Sequence, residues 1–310
     1  MTNPIPIVLD CDPGHDDAIA LLLAHTSPKL KILGITTSCG NQTVEKTTRN
    51  ALRICTLLGI APPLARGCVH PLVEPPMNAP SVHGESGLDG PALPEPNFAP
   101  VPQSAVALTA RLLRESPEKV TLVSTGPLTN TAALLLAHPE LKDKIARISL
   151  MGGGIAHGNW TPAAEFNILA DPEAAQIVFT SGLPILMAGL DVTEQALIYP
   201  EDIARIRALG NPVASVVADW LDFFSIFHRN LGYAGAPLHD PVAVAALIAP
   251  EIFDIRPMHV EIETEGEFCR GATVGDPWGT PNAQCVLGLD RESFADLLVR
   301  SIATYGGNGK

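Results

Sequence analysis

Hydrophobic positions recur along this chain in two rhythms. Short unbroken apolar runs, such as Ile5-Pro6-Ile7-Val8-Leu9, alternate with stretches in which apolar residues return every three or four positions. The first kind predicts strands buried on both faces, and the second predicts helices packed against them. Strands are expected over residues 5–9, 32–37, 120–124, 148–151, 185–188, 259–263 and 284–289. Helices are expected over 18–24, 43–58, 129–137, 242–248 and 291–305, with another starting at Asp171-Pro172-Glu173, where proline suits the first helical position. This alternation predicts an α/β fold with a doubly wound, mostly parallel central sheet flanked by helices. Residues 200–230 depart from it as an additional, largely helical segment.

Nine prolines between Pro71 and Pro102 exclude helix or central strand there and predict a long ordered loop. Within it, His83 is followed by glycine, and loops of this length often carry binding residues. His83 is therefore a candidate for reaching a ligand.

Composition narrows the picture. With 310 residues, 46% hydrophobic and 17% charged, the chain can bury a large core, and no long polar linker divides it, so one domain over 1–310 is expected. A formal net charge of -13 disfavours a nucleic-acid partner and suits a small neutral or cationic ligand. No apolar run reaches the roughly 18 residues that mark a membrane span. The six cysteines form no CxxC pair and the chain opens without a basic, apolar leader, so a reducing cytoplasm is expected.

The most informative stretch is Asp10-Cys11-Asp12-Pro13-Gly14-His15-Asp16-Asp17, four carboxylates in eight residues after the first expected strand. In parallel sheets the carboxyl ends of the strands are where ligands bind. Carboxylates this close repel one another unless a cation sits among them or some take up protons, and an oxygen-rich set favours a hard cation such as calcium or magnesium. An acidic helix N-terminus accounts for Asp16 or Asp17 but leaves Asp10 and Asp12 unexplained. Asn41 falls on the same sheet edge. So do the Gly126-Pro127 turn and Gly152-Gly153-Gly154, which lets the main chain approach something closely. Asn159, Glu165 and Asn167 offer hydroxyl-binding groups, and His239-Asp240-Pro241 precedes an apolar helix.

Taken together, Asp10 through Asp17, Gly40-Asn41, His83-Gly84, the triple glycine, Glu165-Phe166-Asn167 and His239-Asp240-Pro241 resemble the inosine-uridine family of nucleoside hydrolases over nearly the whole chain. The stretches from His83 to Pro91 and from Asn159 to Glu165 look most like its bacterial pyrimidine-specific ribonucleoside hydrolases. The resemblance implies a calcium enzyme that hydrolyses the N-ribosidic bond, commonly as a homodimer or homotetramer. It implies that Asp12, Asp17, Asp240 and the main-chain carbonyl of Thr125 hold calcium, with Asp12 also the general base. Asp16, Asn41, Asn159, Glu165, Asn167 and the main chain at Met151 would bind the ribose. His83 and His239 would face the leaving base, and Asp10 would stand behind the metal ligands. Residues 227–233 and 271–281 align poorly with relatives, where they help shape the base pocket, which leaves purine-preferring or broad specificity as the alternative.

The chemistry calls for such an array. Breaking the C1′–N bond through an oxocarbenium-like state requires stabilised positive charge on the sugar, an activated water and relief of charge on the departing ring. Two other readings compete. Asp10-Cys11-Asp12 also resembles the aspartyl-phosphate phosphatases, although Pro13-Gly14 departs from their motif and no basic phosphate clamp is near. A calcium-dependent nucleoside-binding protein without turnover is the non-enzymatic alternative.

Overall fold

The computed structural model describes residues 3–306. Its eleven strands are β1 (Ile5–Cys11), β2 (Leu30–Thr37), β3 (Leu64–Arg66), β4 (Val120–Ser124), β5 (Ile145–Met151), β6 (Ile185–Ala188), β7 (Leu197–Ile198), β8 (Ala236–Pro237), β9 (Phe253–Ile262), β10 (Thr273–Asp276) and β11 (Ala283–Leu289). Nine of them form one sheet in the order β10-β9-β11-β6-β5-β4-β1-β2-β3, while β7 and β8 pair separately. The six strands from β3 to β6 are parallel, as is β11 against β6, whereas β9 pairs antiparallel with both β11 and β10. This is the mostly parallel, helix-flanked sheet that the alternation predicted.

Layering explains the unbroken apolar run of β1. Ile7 and Leu9 face one buried cluster and Val8 the other, so neither face meets water. On the first face lies the helix His15–Thr26, whose continuous burial from His15 to Ala24 comes from packing between the sheet and the helices Asp240–Ile248 and Arg291–Ala303. The helices Ala105–Glu115, Thr129–Ala137 and Pro172–Phe179 cover the second face.

Strand order reverses beside β1. Its neighbours are β2 on one side and β4 on the other, with Asp10 registered against Thr36 and Ser124. The connections leaving β1 and β4 therefore diverge, and the crevice between them opens at their carboxyl ends. The acidic stretch lies there.

Some elements differ from the sequence reading. The short edge strand β3 and the helix Ala105–Glu115 were not foreseen. The segment near 200–230 is two helices, Pro200–Arg207 and Pro212–Asn230, parted at Gly210, whose φ of 70° ends the first. The proline-rich loop contains one helical turn, Pro80–His83, which lifts His83 into the interior.

Candidate active site

The turn between β1 and its helix is fastened by Asp17. Its carboxylate accepts from the amides of Asp12 at 3.3 Å and Gly14 at 3.0 Å, satisfying N–H groups that a helix start leaves unpaired. Thr125 Oγ1 donates to it at 2.8 Å, which joins the loop after β4 to the loop after β1. Asn41, from the loop after β2, donates its backbone N–H to Asp12 Oδ2 at 2.6 Å and its amide to Asp17 Oδ2 at 3.2 Å. Asp10 sits behind this layer, its Oδ1 accepting from Thr36 Oγ1 at 2.6 Å and Asn130 Nδ2 at 2.8 Å.

Asp12 is wedged. A Cβ added to Gly40 would fall 2.0 Å from its Oδ2, and one added to Gly126 would fall 2.3 Å from its Oδ1. Both glycines are needed for two loops to close on one carboxylate. Its Oδ1 is buried with no hydrogen-bond partner among the described residues.

Oxygens of Asp16, Asp17 and Asp240 lie within 4.8 Å of one another, all three residues buried. Burial raises the proton affinity of all three, and neighbouring carboxylates add to the effect at Asp16 and Asp240. Asp16 is pushed up to about 7, and Asp12 and Asp240 well above the usual carboxylate range.

A cavity of about 240 Å³ opens over this cluster. Asp16, Asn41, Thr125 and Asp240 line its floor, and Met151, Asn159, Glu165 and Asn167 line one wall. Glu165 caps the short helix Phe166–Ala170, accepting from Asn167 N at 2.9 Å and Ile168 N at 3.2 Å, and also holds Gly153 N at 2.8 Å. Burial pushes its carboxyl up to about 7. Asn167 Nδ2 donates to the carbonyls of Thr125 at 2.8 Å and Met151 at 3.2 Å. Asn159 Oδ1 accepts from Phe166 N at 3.0 Å.

His83 and His239 form part of the opposite wall. Burial lowers both imidazoles: His239 to about 3, and His83 well below the usual histidine value with the nearby rings of His15, His228 and His239 adding to the effect. Both are neutral at pH 7. Phe224, Phe227, His228 and Tyr233 complete this side, with Trp160 across from them.

Residues 7–296 match the family described as inosine-uridine preferring nucleoside hydrolase. The chain is 56% identical over 308 residues to the pyrimidine-specific ribonucleoside hydrolase RihA of Salmonella typhimurium, covering 97% of this chain and 99% of that one. The chain belongs to the inosine-uridine preferring nucleoside hydrolase family. RihA of Citrobacter koseri is 55% identical over the same coverage. Among solved structures, the purine-preferring ribonucleoside hydrolase of Gardnerella vaginalis superposes with a TM-score of 0.92 at 32% identity, over 98% of this chain and 100% of that one.

In this nucleoside hydrolase the fold brings ten of the twelve sequence-expected site residues to the cavity lining, and Asp12 and Asp17 lie behind its floor. Asp16, expected at the ribose, is one of the three grouped carboxylates, whereas Asp12 stands outside that group. The donor set nonetheless fits a hard cation: buried carboxylates bearing raised proton affinities, an unpartnered Asp12 oxygen and, among the described residues, no basic side chain bonded to any of them. Sequence reasoning missed Glu194, a cavity residue that accepts from Tyr233 Oη at 2.6 Å. A lone carboxylate at the end of the one-turn helix Leu190–Thr193 carries no local signal. It also missed His15, whose place inside the acidic motif was a signal.

Proposed function

We propose that this nucleoside hydrolase cleaves the N-ribosidic bond of pyrimidine ribonucleosides, uridine and cytidine, releasing ribose and free base with calcium as its cofactor. The observation that carries the reading is a buried carboxylate cluster, to which no basic side chain among the described residues is bonded, flooring a cavity that has hydroxyl-binding side chains on one wall and aromatic rings on the other. Similarity at 56% identity to enzymes named pyrimidine-specific supports the choice of base. Structural likeness to a purine-preferring enzyme keeps purine preference as the second reading.

Asp12, Asp17, Asp240 and the Thr125 carbonyl would hold the calcium, with Asp16 adjacent. When bound, the ion supplies Lewis acidity that eases deprotonation of water and a fixed point for the sugar diol. The rest falls to the chain. Asp12 takes the proton from the attacking water, its position set by Gly40, Gly126 and the Asn41 amide. Asp16, Asn41, Asn159, Glu165, Asn167 and the main chain at Met151 bind and orient the ribose, and the carboxylates of Asp16 and Glu165, once ionised, favour the cationic sugar of the transition state. His239 meets the departing base. Its Nδ1 is 2.8 Å from Thr193 Oγ1, which has no other acceptor among the described residues. The hydroxyl therefore donates to Nδ1 and leaves Nε2 as the N–H. His83 meets the nucleoside from the same side.

The cysteines, all free thiols, fit a reducing cytoplasm, and assembly as a homodimer or homotetramer completes the reading. Release of ribose from uridine, cytidine and inosine, with and without a chelator, tests it. Inosine cleaved as well as uridine overturns the base preference, and full activity after chelation overturns the cofactor.

A further inference from the structure

Three side chains meet on the aromatic side of the cavity. Glu194, which follows the one-turn helix Leu190–Thr193, accepts from Tyr233 Oη at Oε1, 2.6 Å away, and from His157 Nε2 at Oε2, 3.0 Å away. Three separate connections supply them. His157 belongs to the loop after β5, and Asp191 in the short helix draws that loop in by accepting from the amides of Ile155 at 2.7 Å and Ala156 at 3.0 Å. Tyr233 follows the helix Pro212–Asn230, its backbone N–H donating to the carbonyl of His228 at 3.0 Å. Glu194 and Tyr233 line the cavity, and His157 supports the carboxylate from outside it.

This group lies toward the mouth. Thr193, the residue before Glu194, bonds to His239 at 2.8 Å, and Asp240 comes next on the floor. Exposure rises along that line, from buried Asp240 through half-buried His239, Tyr233 and Glu194 to exposed His157. A ribose over the carboxylate floor therefore directs its base past His239 toward Glu194. In a pyrimidine joined to the sugar through N1, the substituent on C4 lies across the ring and reaches farthest that way.

What that end offers is acceptors. A carboxylate only accepts, so the Tyr233 hydroxyl hydrogen and the His157 Nε2 hydrogen are both committed to Glu194. Each carboxylate oxygen has two lone pairs and takes one donor here, which leaves one lone pair apiece among the described residues. His228, its ring centroid 5.7 Å from that of Tyr233, has its Nδ1 3.0 Å from the Phe224 carbonyl and donates within its own helix.

On the proposed function, which places the base, we infer that Glu194 is a specificity-determining residue that reads an amino group on C4, so that the enzyme takes cytidine in preference to uridine. Tyr233 and His157 are its positioning residues. Cytosine carries on C4 an amine with two hydrogens, and the carboxylate has lone pairs to receive them. Uracil carries a carbonyl oxygen there, which would meet the carboxylate with no hydrogen between them. The first base gains a charge-assisted hydrogen bond and the second meets repulsion. A site built around one hydrogen bond rejects the analogue that cannot make it, because its own group is then left unpaired. Water competes for a half-buried carboxylate, so the discrimination expected is about tenfold, the low end for a hydrogen bond to a charged group.

Glu194→Gln keeps the shape and adds an amide that donates to a carbonyl. Ribose release gives kcat/KM for cytidine and for uridine, and dividing the wild-type ratio by the variant ratio cancels the intrinsic reactivity of the two bases. That quotient is expected at about ten, and a quotient of one from a folded variant overturns the inference. Carbocyclic cytidine and carbocyclic uridine, with a methylene in place of the ring oxygen, form no oxocarbenium and read the preference by calorimetry without turnover. The calcium-loaded wild type should bind the cytidine analogue about tenfold tighter. Equal affinities, or a tighter hold on the uridine analogue, overturn the inference even where the variant does not fold. Tighter binding of the cytidine analogue by a protein that releases no ribose would uphold the recognition of the amine and sink the proposed activity instead.

Discussion

Gly126→Ala probes the close packing around Asp12 without touching any reacting group. The new Cβ would stand 2.3 Å from Asp12 Oδ1 and 2.7 Å from its Cγ, against 3.4–4 Å for ordinary contact, so one partner must move by about 1 Å. Asp12 cannot simply yield, because its other oxygen is held by the Asn41 amide and stands 2.0 Å from where a Cβ on Gly40 would be. The backbone of Gly126 is not in the left-handed region, so alanine brings crowding without backbone strain. Misplacing a reacting group by about 1 Å costs on the order of a hundredfold in rate. We therefore expect kcat for uridine to fall about a hundredfold, with a smaller change in KM because the ribose wall is untouched. Gly288→Ala is the control, its Cβ meeting Asp254 Cβ at an ordinary 3.6 Å. Steady-state kinetics with calcium present, alongside melting curves, make the comparison. A folded Gly126→Ala enzyme with wild-type kcat would refute the claim that these glycines set the position of a working carboxylate.

Asp12→Asn should keep the fold and lower kcat by roughly 10²–10⁴, the usual worth of a general base; wild-type-like turnover removes Asp12 from the mechanism. Asp240→Ala should weaken calcium binding, read as metal content by mass spectrometry, whereas zinc in the active enzyme would count against all-oxygen ligation. His239→Ala should slow uridine far more than nitrophenyl riboside, whose leaving group departs without protonation, and equal losses would show a structural histidine. Calcium affinity should rise with pH between 5 and 8, because Asp16, held up at about 7 by burial and by Asp17, must lose its proton first. The same sign governs the chelated protein. A carboxyl raised from 3.8 to about 7 contributes stability below 3.8 that is lost as pH rises through 7, so calcium should raise the melting temperature more at pH 8 than at pH 5. An equal rise at both would refute it.

Local pattern carried a large part of this protein. The apolar run of β1, the acidic turn and the helix after it are neighbours in the chain, and each announces itself within a dozen residues because burial and capping act over that distance. Elements lacking such a signature were missed, such as the three residues of β3, while Gly210 splits a segment whose apolar period runs on past it. The site residues could be named from the order of motifs, yet naming them left their mutual geometry open. Asp240 meets Asp16 and Asp17 because two helices far apart in sequence pack side by side; Asp12 loses its freedom because the turns at Gly40 and Gly126 close on it from the two strands beside β1. Raised carboxyls and a lowered His83 follow from those placements, since desolvation and Coulomb repulsion depend on distance in space, not along the chain. His15 shows the division most plainly. Its sequence position promised only an acidic helix start, and the tertiary fold made it the partner of a histidine sixty-eight residues away.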